Sequence, residues 1–109
     1  MIKIPAYIFL ILAAISAGAA AQSGIHSSEN ILRFADYLFC SKDYLRAYLE
    51  YESYLSKVNN DTVKYKSALS LQRINRFDES EKSFSGLFNS SLSKEAEAGY
   101  YKSVFLFED

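Results

Sequence analysis

Three features of this 109-residue sequence predict an all-α fold, in which antiparallel helix-turn-helix units stack as a short α-solenoid. Apolar residues recur three or four apart through most of the chain after residue 28, and no stretch alternates with period two over a useful length. One pattern occurs twice at a single constant offset: Ala35/Ala68, Tyr44/Phe77, Ala47/Ser80 and Tyr51/Phe84, with Leu55/Phe88 also apolar. Pro is absent after Pro5 and Gly occurs only four times, so little interrupts the helices.

The elements follow in order. Residues 1–21 have a short basic start at Lys3, an apolar centre and an Ala-x-Ala exit, the pattern of a secretory signal peptide. Ala19-Ala20-Ala21 before Gln22 is the preferred cleavage site, with Ala17-Gly18-Ala19 the alternative. An uncleaved signal anchor is the competing reading, but a spanning helix needs about 20 apolar residues, and Ile4 to Ala21 barely reaches that. No Cys follows the apolar run, so a lipoprotein signal is not expected.

Residues 22–28 read as a polar linker carrying the sole histidine, His26, and the helical repeat domain spans 29–109. Ser28 is the expected cap of a first helix to about Ser41, with Ile31, Phe34, Ala35 and Leu38 inward. Ser41-Lys42-Asp43 turns the chain into a second helix from Tyr44 to about Val58. Asp61 is the expected cap of a third, Thr62 to Arg73, with Tyr65, Ala68, Leu69 and Leu71 inward. Asn75-Arg76 turns into a fourth, Phe77 to Phe88, whose Asp78 and Glu81 have capping-box spacing. Ser93 is the expected cap of a fifth, running through Ala96, Tyr100, Ser103 and Phe107.

The recurring small residues have a steric reason. Two helices joined by a short turn approach closely only where one side chain leaves room for the other helix. Ala35 and Ala68 leave that room in the first helix of each pair, and Ala47 and Ser80 in the second. Tyr44 and Phe77 fill the space beside the turn, and Tyr51 and Phe84 pack further along. Each pair alone buries only part of its apolar surface, so pairs must stack.

This set of positions resembles the tetratricopeptide repeat: a small residue in the first helix, an aromatic after the turn, then small and aromatic residues in the second. The likeness covers Ile31 to Leu92 as units of about 29–60 and 61–93, with a partial third at 94–109 in which Ser103 is the small residue. Asn75 stands where the family often has Gly, and Asn59 and Leu92 where it often has Pro. The resemblance implies a right-handed superhelix whose first helices line a concave groove. Carried over position by position, the groove residues are Leu32, Asp36, Phe39, Tyr65, Leu69, Gln72, Arg73, Tyr100 and Val104. Members that grip a C-terminal carboxylate use Asn and Lys where Asp36 and Leu69 stand here, so an extended or helical apolar peptide is the implied ligand. The export signal and the run from Glu52 to Leu55 also resemble envelope members of the family in Gram-negative bacteria.

Charge is balanced, 12 basic against 13 acidic residues, so no nucleic-acid surface is expected. Cys40 is the sole cysteine and can form no intramolecular disulfide; a buried or half-buried structural thiol is the favoured reading, an intermolecular disulfide the other. His26 and Cys40 form no recognisable dyad, and no cluster has metal-ligand spacing. Glu50/Glu52 and Glu95/Glu97 point to nearly opposite sides of a helix and read as solvated. Asn60 and Asn89 open glycosylation-type tripeptides common by chance. Tyr44, Tyr48, Tyr51 and Tyr54 coincide with the repeat and read as packing residues before a binding stripe.

The expected function is a non-enzymatic scaffold, periplasmic or secreted, that needs no cofactor and binds a protein or peptide. The alternative is a structural subunit that forms a homo-oligomer through its apolar C-terminal helix, Val104 to Phe107, or a truncated piece of a longer repeat protein.

Overall fold

The computed structural model describes residues 27–108. The predicted signal peptide, the linker up to His26 and Asp109 lie outside the described residues. Five helices and no strand are present among the described residues: α1 Ser28–Cys40, α2 Tyr44–Leu55, α3 Asp61–Arg73, α4 Phe77–Ser85 and α5 Ser93–Glu108. Each helix packs on the next in the chain, and α3 also touches α5.

The two hairpins share one turn geometry. Lys42 adopts φ 65° after α1, and Asn75, its counterpart in the second hairpin, adopts φ 64° after α3. Asp43 N–H donates to the Leu38 carbonyl at 2.9 Å and Lys42 N–H to Phe39 at 3.0 Å. Arg76 N–H donates to Leu71 at 2.9 Å and Asn75 N–H to Gln72 at 3.1 Å. These are the paired bonds of a Schellman ending, which satisfies carbonyls that the helix leaves open. Asp43 and Arg76 then lead into α2 and α4 with nearly equal dihedrals, φ −91° and −94°.

Burial repeats with the same period. Ala35/Ala68, Leu38/Leu71, Ala47/Ser80, Tyr51/Phe84 and Tyr54/Leu87 are all buried. One core cluster joins Ala35 and Leu38 of α1, Ala47, Tyr51 and Tyr54 of α2 and Val63 of α3. A second joins Ala68 of α3, Phe84 of α4, Leu87 just after α4 and Ala96 of α5. Each hairpin is thus closed by the first helix of the next. Burying a ring such as Tyr51 or Phe84 contributes about 1.5–3 kcal/mol.

In α5 the period continues in a register other than the expected one. Ala96 and Ser103 are buried like Val63 and Ser70, their equivalents one period earlier. Ser103 therefore matches Ser70, not Ala68. The position matching Ala35 and Ala68 is Tyr101, and it is 66% exposed. Gly99 lets α5 approach Phe84, since a Cβ there would lie 2.5 Å from the ring's Cζ.

Several expected helix ends are corrected. Ser27, not Ser28, caps α1: its side chain accepts Asn30 N–H at 3.3 Å from an extended conformation that Ser28, already helical, lacks. Asn60, not Asp61, caps α3, accepting Val63 N–H at 3.1 Å, and Asp61 lies in the first turn, where the helix dipole favours its charge. The Asp78/Glu81 capping box does not form. Arg76 holds the cap position of α4 without a side-chain cap bond, and Asp78 accepts the neighbouring Glu79 N–H at 2.9 Å. Ser93 lies inside α5, and the carbonyl before it, that of Leu92, accepts Ala96 N–H at 2.8 Å. Helices α2 and α4 stop three residues short of Val58 and Phe88, as Lys57 and Leu87 N–H turn to carbonyls three residues back. Phe34, expected on one helical face with Ile31, Ala35 and Leu38, is 41% exposed.

A left-handed backbone costs a lysine about 1 kcal/mol and costs glycine almost nothing. Lys42→Gly is therefore expected to raise the unfolding free energy by up to about 1 kcal/mol, read as a higher urea midpoint at constant m-value, and Asn75→Gly by less, because Asn tolerates this region. Equal or negative effects at Lys42 would show that its conformation carries no strain.

Candidate functional site

The face shared by α1, α3 and α5 holds the residues expected to line a groove, and it is already partly knitted together. Asp36 Oδ1 on α1 accepts the Tyr51 hydroxyl of α2 at 2.6 Å and Lys66 Nζ of α3 at 3.0 Å. One carboxylate therefore ties three helices. The Lys66–Asp36 pair is about a third to two-fifths exposed, so solvent screening holds its worth to about 1 kcal/mol or less.

Arg73 makes the second tie. Its guanidinium lies 6.0 Å from the Phe39 ring centre and 5.4 Å from that of Tyr44, and it donates to the Tyr44 hydroxyl at 3.0 Å. Phe39 and Tyr44 meet edge to face at 5.2 Å. The cation thus bridges the first hairpin and α3 over an aromatic bed.

Leu32 and Phe39 are partly buried against the first core, and Tyr65, Leu69 and Tyr100 against the second. Tyr65 packs edge to face on Phe84 at 5.6 Å, and Tyr100 on Phe88 at 5.3 Å. Val104 is half-buried. Leu32, Phe39, Tyr65, Leu69, Tyr100 and Val104 are thus all half-buried and apolar or aromatic, with the Asp36–Lys66 pair and the exposed Arg73 among them.

Gln72 does not belong to that strip. It is buried, and its amide donates to the Gly99 carbonyl at 3.1 Å and the Ser103 hydroxyl at 2.8 Å. Ser103 Oγ also lies 2.7 Å from Ser80 Oγ, and Ser80 donates to the Phe77 carbonyl at 3.0 Å. This polar knot seats α5 on the second hairpin. Cys40 is corrected too: it is exposed, not a buried thiol.

A cleft of about 300 Å³ is lined by Glu52, Leu55, Lys64, Ser67, Ser83, Gly86 and Leu87. Ser67 donates to Glu52 Oε2 there at 2.6 Å. Sequence reasoning missed this cleft, and it missed Lys66 and Ser67, because neither breaks the apolar period. Among the described residues no group of three His, Cys, Asp or Glu could hold a metal ion, and every buried side-chain N or O atom has a hydrogen-bond partner. None of the helices among the described residues is long and apolar enough to cross a membrane.

Two tyrosines titrate abnormally. Burial, then the hydrogen bond to Asp36 and its charge, hold Tyr51 well above the ordinary value of 10.0. Burial and the charges of Glu52 and Glu79 raise Tyr48 against the opposing effect of Arg76. No family model, curated protein or solved structure matches the chain.

A raised folded-state value means that the Tyr51 contribution is complete below pH 10.0 and fades as pH rises beyond it, because the unfolded chain loses that proton first. Tyr51→Phe is expected to cost about 1 kcal/mol at pH 7 from the lost bond to Asp36. The gap from wild type should narrow between pH 10 and pH 11 in urea titrations, since the variant has no proton to lose there. A gap that stays constant would contradict the assignment.

Proposed function

We propose that this chain is a non-catalytic scaffold of tetratricopeptide type, exported to the bacterial envelope, that binds a peptide or protein segment on the face of α1, α3 and α5. The observation that carries the reading is the return, in the second hairpin, of the turn geometry and buried positions of the first. A stack of such hairpins presents a continuous surface larger than any single helix offers.

The chemistry of that surface narrows the ligand. Leu32, Phe39, Tyr65, Leu69, Tyr100 and Val104 offer half-buried apolar and aromatic contacts. Asp36 is neutralised by Lys66, and Arg73, exposed and in no ion pair of the described residues, rests on two rings and donates one hydrogen bond to Tyr44. Arg73 is the one cation of this face outside any ion pair of the described residues, and the rest of the face offers an apolar bed to an extended or helical segment.

Photo-crosslinking tests the face directly. A photoreactive residue at Tyr65 or Leu69 in the full chain, irradiated in an envelope preparation, should give a discrete adduct that Tyr100→Asp abolishes. The same group at the exposed Ser53 of α2 should give none. Equal adducts from Ser53, or none from Leu69, would refute the reading.

A further inference from the structure

Helix α5 has a second face that no described helix covers. Lys94, Ala98, Tyr101, Phe105 and Glu108 are all exposed. At 3.6 residues per turn they fall within roughly 80° of the helix circumference, on the side opposite the buried Ala96, Gly99 and Ser103. The stripe is about 21 Å long at 1.5 Å per residue. Tyr101 and Phe105, the most exposed large apolar residues of the described chain, form its centre.

We propose that this stripe binds a second copy of the chain, α5 against α5 in antiparallel orientation, with the two-fold axis passing beside Tyr101. The observation that selects this occupant is self-complementarity, the property that a two-fold interface demands. Lys94 lies seven residues before Tyr101 and Glu108 seven after, so an antiparallel pair sets each lysine against Glu108 of the second copy. Ala98, three residues before, leaves room for Phe105, four after. A parallel pair would instead oppose like charges and face alanine with alanine.

The charges also run against their own helix. A cation in the first turn and an anion in the last oppose the macrodipole, and neither Lys94 nor Glu108 takes part in any ion pair of the described residues. An antiparallel second copy supplies each with its partner. Tyr101 stands where α1 and α3 carry Ala35 and Ala68, so a helix cannot approach this face as closely as α2 and α4 approach theirs. A contact between aromatic side chains fits that wider spacing. The inference is independent of the groove reading.

Sedimentation equilibrium of the full chain tests it, with helicity by circular dichroism as the check on folding. Wild type should be a dimer, and Phe105→Glu a helical monomer. Lys94→Glu and Glu108→Lys should each raise the dissociation constant roughly threefold to tenfold, and the double variant should restore it. Tyr101→Cys in a Cys40→Ser background should form an intermolecular disulfide on oxidation. A wild-type monomer at about 100 μM would overturn the proposal, whether the face stays bare, takes another protein or is covered by residues 1–26. A dimer insensitive to Phe105→Glu, or a charge swap that fails to rescue, would overturn it equally.

Discussion

The structure depends on how closely its helices can cross, and four fully buried small residues decide that distance. Ala35 and Ala68 admit the second helix of each hairpin, and Ala47 and Ser80 admit the first. Because these positions are small, Tyr51 and Phe84 can lie wholly inside, where each meets the next unit. The same steric logic reappears at Gly99, whose absent side chain lets α5 settle on the Phe84 ring. Interiors packed at crystal-like density tolerate little change at such points.

Around those crossings the two junctions are sealed differently. Between the first hairpin and α3, the polar links run from Lys66 to Asp36, which also holds Tyr51 within the hairpin, and from Ser67 to Glu52, and water reaches them. Between the second hairpin and α5, Gln72, Ser80 and Ser103 form a closed network away from water. At the first junction, Phe39 and Ala47 occupy the positions of Gln72 and Ser80, and Ser70 bonds to the Lys66 carbonyl of its own helix. Buried polar networks specify one arrangement more strictly than apolar contacts do, provided every member is satisfied. The seat of α5 is therefore the more sharply defined of the two. Its other face, rich in exposed aromatics, lies immediately behind that seat.

The helical class, the number of helices and the recurrence of the hairpin are legible because they rest on periodicity and on small residues at fixed offsets. Cap positions are not. Ser27 and Ser28, or Asn60 and Asp61, are adjacent residues of equal capping chemistry, and only the backbone dihedrals choose between them. Helix ends are overextended in the sequence reading because Val58 and Phe88 stay apolar where the chain has already tightened into three-residue turns. Gln72 has groove spacing, yet α5 covers it; the signal lay in Gly99 and Ser103, small residues four apart on one helix face. Cys40 ends α1 on its exposed side, which composition alone does not disclose.

The proposed binding face of α1, α3 and α5 and the exposed stripe of α5 both follow from hairpins packing in series. Everything turns on the close crossing at Ala47. Thermal unfolding of Ala47→Leu measures it most directly, with the neighbouring exposed Leu45→Ala as control. Overpacking a site with no free surface is expected to cost about 2 kcal/mol, lowering the midpoint by roughly 10 °C. A midpoint equal to that of wild type would mean that the helices do not meet there, and the stacked-hairpin account would fall.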